Sequence, residues 1–384
     1  MSGSDAEPYS GREQTQAKHF ILRRYLEKLA YKILTLSELT YVDGFSGPWK
    51  TETEDFSDSS FMIAIDVLEG VQKTLIEQRR ECRRIRCFFS ESDPKAISQL
   101  RTAVARHHHP ESGFEICTFH GEFEDAIPQI LSYVGNSFAL IFIDPTGWTG
   151  YSFDKIKALF SARKCEVLIN FMYDHINRFS ASDNERVIMS LGPVLGGPDW
   201  RKRLDVSLPR GAAIEKLFRE TLKEVGRFQF VISTRIDKAT AERPHFFLTY
   251  GTKSPNGLKT FRETEYVALR AHARNRANAR ERKREEAFKT PDFLAGHADV
   301  EEATIDAIVE EQKQAAASAL VEALSNGKPL KFDHVMFALL ERFMIRETDV
   351  KDICVELARC GTIENTWGGG NRKPRDDTTL KLAR

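Results

Sequence analysis

The sequence predicts a doubly wound α/β fold for most of the chain, on three observations. Short apolar runs recur between 39 and 171, amphipathic stretches separate them, and four of the runs (CFFS, FEICTF, FALIFID, EVLINF) are nearly continuous in hydrophobic residues. A strand covered by helices on both faces reads as an unbroken apolar run, whereas a strand with one wet face alternates. Strands that alternate with helices along the chain build parallel sheets.

The first element is a helix over 16–36, where Phe20, Leu22, Tyr25, Leu26, Leu29 and Ile33 recur close to a helical period. The predicted strands are Leu39–Asp43, Ile85–Glu91, 114–119, 138–144 and 166–171, with helices over 61–77, 94–106 and 153–160 between them. Two later β-rich runs, 228–234 and 245–252, are joined only by 235–244. That is too short for a crossover helix, so the two are expected to be antiparallel neighbours. A parallel sheet closed by such a pair is the Rossmann-like arrangement of class I S-adenosylmethionine methyltransferases; a dehydrogenase sheet ends in parallel units.

After Glu263 the character changes. The stretch 263–287 is rich in Ala, Arg and Glu, as in a charged helix or linker. Helical stretches at 315–324, 333–342 and 348–360 then precede TIENT, GGGNRKPRDD and TTLKL, which read as a hairpin around a basic, glycine-rich tip. Three short helices and a hairpin predict a winged-helix-like α+β unit, a module that binds nucleic acid or docks proteins. The expected organisation is therefore a flexible N-terminus (1–16), a methyltransferase-like domain (17–262), a basic helix or linker (263–300) and the winged-helix-like unit (301–384).

With 384 residues, the chain is long enough for two or three cores. No run reaches the roughly 20 apolar residues that a membrane span needs. The polar stretch 1–16 has no apolar signal core, so the cytoplasm is the expected compartment and no membrane partner is expected. The six cysteines (Cys82, Cys87, Cys117, Cys165, Cys354, Cys360) form no C-x-x-C pair, and reduced structural thiols are expected. The triplet His107-His108-His109 sits before Pro110 in a polar loop, and no metal site is expected there. Net charge is zero but uneven: 51–60 is acidic, while 270–284 holds seven basic residues against Glu281 alone. Such a segment is able to meet phosphate, although charge runs are more often solvated helix faces.

Four strand ends carry candidate chemistry. The first is Tyr41-Val42-Asp43-Gly44-Phe45-Ser46-Gly47-Pro48, straight after the first predicted strand. Gly44 and Gly47 allow a tight turn and a close backbone approach to a ligand, and Asp43 is placed to accept from an amine or ribose. The second is Glu91, an acid at the tip of the second strand, suited to ribose hydroxyls. It follows Asp43 by 48 positions, which implies an insertion. Beside it, Asp93 and Pro94 read as N-cap and first residue of the next helix. The third is Gly121-Glu122, whose acid, with Asp125, is a candidate partner for an adenine amino group or simply a helix N-terminal acid. The fourth is Asp144-Pro145-Thr146-Gly147-Trp148. Nucleobase amino-methyltransferases carry an acid or amide, two prolines and an aromatic at this point, to hold the target nitrogen and stack on the flipped base. Asp144, Pro145 and Trp148 suit those roles; the second proline is absent. Lys18-His19 opens the first helix, and Asp174-His175 follows the fifth strand, as weaker candidates. The absence of G-x-G-x-x-G disfavours an NAD-dependent oxidoreductase.

The strings KHFILRRYL, YVDGFSGPW, LIFIDPTGW, VLINF and FFLTYGTKSPNGLKTFRE, in this order, resemble the three-Cys-motif partner protein family. The resemblance covers roughly residues 17 to 270 and implies a methyltransferase-like fold. It also implies a separate partner protein that carries the three cysteines, so this chain's own cysteines are not those of the name. The family's D-G-F-x-G turn falls on Asp43, Gly44, Phe45, Ser46 and Gly47, and its D-P-x-G segment on Asp144, Pro145, Thr146 and Gly147. Trp49 stands where family members usually have another glycine.

These readings lead to the expectation of an S-adenosylmethionine-dependent methyltransferase acting on nucleic acid. Asp144, Pro145 and Trp148 would serve the reaction, and Tyr41, Asp43, Gly44, Phe45, Ser46, Gly47, Glu91 and Glu122 the cofactor. Nucleic acid would be met through 270–284 and the C-terminal unit. The alternative is a non-catalytic adenosyl-nucleotide-binding or scaffold protein that docks a three-cysteine partner, which the altered DPTGW segment favours.

Overall fold

The computed structural model describes residues 9, 12–47, 53, 55–161, 164–239, 241–288, 297–368 and 372–383. Pro48 and Trp49, part of the linker and the glycine-rich tip at 369–371 lie outside these residues, as do the side chains of 282–284 at the end of the basic segment. The chain forms two compact units, Met1–Lys253 and Ser254–Arg384.

The first unit is built on a seven-stranded sheet. Its strands are β1 (Leu39–Asp43), β2 (Ile85–Glu91), β3 (Phe114–His120), β4 (Phe138–Ile143), β5 (Cys165–Phe171), β6 (Phe230–Asp237) and β7 (Pro244–Thr252), in the order β3-β2-β1-β4-β5-β7-β6. The first five are parallel; β7 runs antiparallel to both β5 and β6 and lies between them. This is a mostly parallel, doubly wound, Rossmann-like sheet. Of the late pair only β7 is reversed; it is inserted beside β5, with β6 at the edge.

Helices cover both faces: α1 (Glu13–Ile33), α2 (Ser60–Glu77), α3 (Pro94–Ala105), α4 (Phe123–Val134), α5 (Phe153–Ile156), α6 (Tyr173–Phe179), α7 (Glu185–Leu195) and α8 (Arg210–Gly226). Successive strand residues point to opposite faces. Hence Phe89 meets Phe61 of α2 on one face, and its neighbour Phe88 meets Tyr133 of α4 on the other. On that second face Phe171 stacks on Phe218 of α8 at 4.0 Å between ring centroids, beside the buried Trp200. Local signals fix the helix starts. The Asp93 carboxylate accepts from the amides of Lys95 and Ala96, and Pro94 occupies the first helical position, where its missing N–H costs nothing.

Helix α1 begins at Glu13, earlier than the expected end of a flexible N-terminus at residue 16. The reason lies in its contacts. Arg12 pairs with Asp58 at 2.8 Å, and the Tyr9 hydroxyl lies 3.0 Å from His19 Nδ1. Farther along, α1 is pinned to the sheet by a fully buried polar cluster. The Tyr25 hydroxyl donates to Glu166 at 2.5 Å and meets the Tyr250 hydroxyl at 2.5 Å, while Thr252 donates to the other Glu166 oxygen at 2.8 Å. Burial pushes the Glu166 carboxyl above its usual range, against these hydrogen bonds.

In the second unit, α9 (Pro255–Phe288) starts just after β7, so the division falls at 253/254 rather than 262/263, and the basic segment lies within one helix. Residues 255–262 belong with this unit because Arg262 donates to the Leu340 carbonyl at 2.7 Å and pairs with Glu265 at 2.5 Å. Helix α10 (His297–Leu324) packs along α9, and Arg270 pairs with its Glu302 at 3.1 Å. Part of the basic run is thus matched by acids of the next helix. Then follow β8 (Leu330–Lys331), α11 (Phe332–Arg342), α12 (Glu347–Arg359) and β9 (Thr379–Leu380). β8 pairs antiparallel with β9, and Ile363 bridges to Leu382. Among the described residues, no helix is long and apolar enough to cross a membrane.

The buried cluster gives a test of how α1 is held. Tyr25→Phe removes one donor from Glu166 and is expected to lower stability by about 1–3 kcal/mol in urea unfolding. An unchanged midpoint and slope would show that the hydroxyl adds nothing.

Candidate functional site

Where strand order reverses in an open α/β sheet, the loops leaving the two central strands part and open a crevice at the carboxyl edge. Here the reversal lies between β1 and β4, since the chain moves outward to β2 and β3 and returns to place β4 on the other side of β1. Two adjoining cavities lie at that edge. One, of about 220 Å³, is lined by Gly44, Phe45, Ser90, Glu91, Gly121, Glu122, Phe123 and Thr146 among others. The other, of about 350 Å³, is lined by residues that include Arg12, Lys18, His19, Phe45, Gly47, Asp144, Pro145, Thr146, Asn170, His245 and Phe246. Phe45 and Thr146 border both.

The strand ends are tied together by backbone bonds: Gly44 N–H to the Phe142 carbonyl, Ser46 N–H to Ser90 and Gly121 N–H to Glu91. Gly44 is needed for space, because a Cβ there would lie 2.8 Å from the Phe123 ring. Gly121 takes φ +149°, a conformation that favours glycine, and a Cβ there would lie 2.8 Å from the Phe119 ring. Phe45 packs on Phe123 with centroids 5.6 Å apart, which sets the floor of the smaller cavity.

The structure thus brings together Gly44, Phe45, Glu91 and Glu122 around one cavity, and Gly47 and Pro145 with Asp144 around the other. Glu91 is buried, and its Oε1 accepts from the Asp93 amide at 2.6 Å. Glu122 is exposed at the start of α4, without a side-chain capping bond. Tyr41, Asp43 and Ser46 line neither cavity; they stand behind the turn and hold its shape. Asp43 accepts from the Phe45 amide at 3.0 Å and the Ser60 hydroxyl at 2.7 Å, and Ser46 donates to the Asp43 carbonyl at 2.9 Å. Trp148 also lines neither cavity. Its ring packs on Phe179 at 4.8 Å, and its Nε1 donates to Ser190 at 3.3 Å.

Asp144 lies just past β4, with both carboxylate oxygens engaged. Oδ2 pairs with Lys18 at 2.5 Å, and Oδ1 accepts from Asn170 Nδ2 at 2.6 Å. Lys18 therefore enters the site from α1, as the sequence allowed. His19 beside it is buried, and burial together with Lys18 holds its imidazole well below the usual range, hence neutral. Arg12 and Asp58 form a second ion pair on the same wall. Residues that sequence reasoning did not single out are Arg12, Asp58, Asn170, His245 and Phe246. The polar Asn170 inside the apolar run VLINF was the one available signal among them. His107 is engaged with Glu69 at 2.8 Å, and His108 accepts from the Ile116 amide at 2.9 Å.

Burial raises the Asp43 carboxyl from its ordinary 3.8 to about 6, against hydrogen bonds from Ser60 and Phe45 that lower it. A carboxyl whose folded value exceeds its unfolded value holds its proton more tightly in the fold. Its contribution is present at low pH and is lost as pH rises from about 4 through 6. The shift corresponds to ~3 kcal/mol. Asp43→Asn is expected to flatten the loss of stability between pH 4 and pH 6.5, measured by urea unfolding at each pH. Parallel curves for the two proteins would contradict this.

No family model matches the chain, and no curated protein matches its sequence. Among solved structures, it is similar to loganic acid methyltransferase with SAH, at 9% identity over 79% of this chain and 91% of that chain, with a TM-score of 0.28.

Proposed function

We propose that the first unit binds S-adenosylmethionine and transfers its methyl group to nucleic acid. The observation that carries this reading is the pair of adjoining cavities at the β1/β4 reversal, with Glu91 on one and Asp144 on the other. The smaller cavity suits an adenosyl group. Glu91 would offer a carboxylate to ribose hydroxyls, Gly44 and Gly121 keep the backbone close, and Glu122 on the same lining would serve an adenine amino group. The space along Phe45 and Gly47 suits the amino-acid arm. When bound, the cofactor supplies an electrophilic methyl group. The protein's task is then mainly positioning, since an aligned nucleophile needs little further assistance. Asp43 shapes the turn and Lys18 neutralises Asp144. The motif resemblance to the three-Cys-motif partner protein family belongs to this reading, and so does a separate three-cysteine partner.

A nucleic-acid target draws support from the second unit taken by itself. Of the four helices among its described residues, α11 and α12 lie in the chain between the two strands of the short β8–β9 ladder, which supports a winged-helix reading. A hollow of about 730 Å³ is lined by Trp367, Arg372, Lys373 and Arg375, an aromatic beside cations that suits phosphate and base. One observation favours the scaffold alternative: Asp144 is closed off by Lys18 and Asn170.

Calorimetry of the full chain with S-adenosylmethionine tests the reading. Glu91→Ala is expected to weaken binding at least tenfold, the loss of a charge-assisted hydrogen bond. Asp144→Ala is expected to keep binding and to lose methyl transfer to a mixed DNA and RNA pool. Binding by neither S-adenosylmethionine nor its demethylated product would favour a scaffold that uses no cofactor.

A further inference from the structure

The larger cavity holds a set of hydrogen-bonding atoms that the described residues leave unused. Asn170 is only 4% exposed, yet its buried Oδ1 has no partner among the described residues, and neither do Gln14 Oε1 and His245 Nδ1. All three residues line this one cavity. Buried polar atoms are almost always paired, so a fixed, unused atom such as Asn170 Oδ1 on a cavity marks what the occupant must supply there.

The orientation of Asn170 is not arbitrary. Its Nδ2 donates to Asp144 Oδ1 and contacts Met172 Sδ at 3.4 Å, and a carboxylate can only accept. The amide is thereby fixed with its carbonyl oxygen as the unused end. His245 is held neutral chiefly by burial, with Lys238, Asp174, His175 and Lys18 around it. With its proton on Nε2, its Nδ1 is an acceptor. Asn170 Oδ1 is thus a fixed acceptor, and His245 Nδ1 joins it in the Nε2-protonated tautomer, so an occupant that satisfies this pair must be a donor.

Charge narrows the class further. The two cations among the described residues of the wall, Arg12 and Lys18, are matched by Asp58 and Asp144, so these residues present no unbalanced positive charge to a phosphate or carboxylate. Phe45 and Phe246 add aromatic wall, which suits a flat ring. Position separates this group from the cofactor. Asn170 is the next-to-last residue of β5, and His245 lies near the start of β7, the neighbouring strand, whereas Glu91 ends β2 on the opposite side of the reversal.

We infer that the β5–β7 wall is a subsite for a nucleobase bearing an exocyclic amino group, adenine or cytosine, whose N–H donors are read by Asn170 and His245. This rests on the methyltransferase reading and adds the acceptor class to it. Asp144 then acts as a positioning residue that orients Asn170, and Lys18 holds Asp144 in turn.

The test is calorimetry on the full chain saturated with S-adenosylhomocysteine, so that the adenosyl site is filled. The probes are cytidine against uridine, and adenosine against inosine, each pair differing by an amino group in place of a carbonyl. The inference expects at least one amino nucleoside to bind tenfold or more tighter than its carbonyl counterpart. It expects Asn170→Leu to erase that preference while S-adenosylhomocysteine affinity stays unchanged. A hydrogen-bonding site rejects a ligand that leaves its buried groups unpaired by at least this margin. His245→Phe should reduce the preference in the same sense. Equal binding within both pairs, no binding of any nucleoside, or a preference that survives Asn170→Leu would overturn the inference. Failure of S-adenosylhomocysteine to bind the unaltered protein would overturn the methyltransferase reading itself.

Discussion

The site depends on one topological constraint, the reversal of strand order between β1 and β4. Because β2 and β3 lie on one side of β1, and β4 and β5 on the other, the loops after β1 and β4 diverge and cannot cover the gap between them. Every candidate group is placed by its distance from that gap. The Gly44 turn and Asp144 stand on its two banks. Glu91 and Gly121 lie one and two strands out on one side, and Asn170 and His245 one and two strands out on the other. The chemistry along the crevice is therefore ordered by the sheet itself.

A second constraint acts through α1. This helix is fixed far from the crevice by Tyr25, whose hydroxyl enters the buried cluster with Glu166 and Tyr250. Seven residues earlier, two turns up the same helix, Lys18 reaches Asp144. A rigid helix converts the distant anchor into a defined position for the lysine. Lys18 neutralises Asp144, and Asp144 turns Asn170 so that a buried acceptor is left facing the need for a donor. A chain of three polar side chains thus sets the character of the larger cavity, and only its last member is left unsatisfied.

The sheet was legible in the sequence because buried parallel strands leave an unmistakable apolar run, and FALIFID and VLINF are such runs. The turn at Gly44 and the cap at Asp93 were legible because both are local: each depends on residues within a few positions. The parts that escaped depend on distant packing. Trp148 looked like a base-stacking residue beside Asp144, but a tight loop can send its side chain either way, and Phe179 and Ser190 decide the direction. Asp43 looked like a ligand contact, yet Ser60, brought in by the long insertion before α2, claims one of its oxygens. Asn170 and His245 lie 75 residues apart in sequence and meet at one wall only because β7 inserts beside β5 in reverse.

The central claim, that the crevice is an adenosyl-cofactor pocket, is tested most directly by hydrogen exchange of the full chain with and without S-adenosylhomocysteine. The account predicts added protection at the backbone amides of 44–47, 91–93 and 121–123, three segments distant in sequence and joined only at this crevice. Protection confined to other segments, or none at saturating ligand, would contradict it.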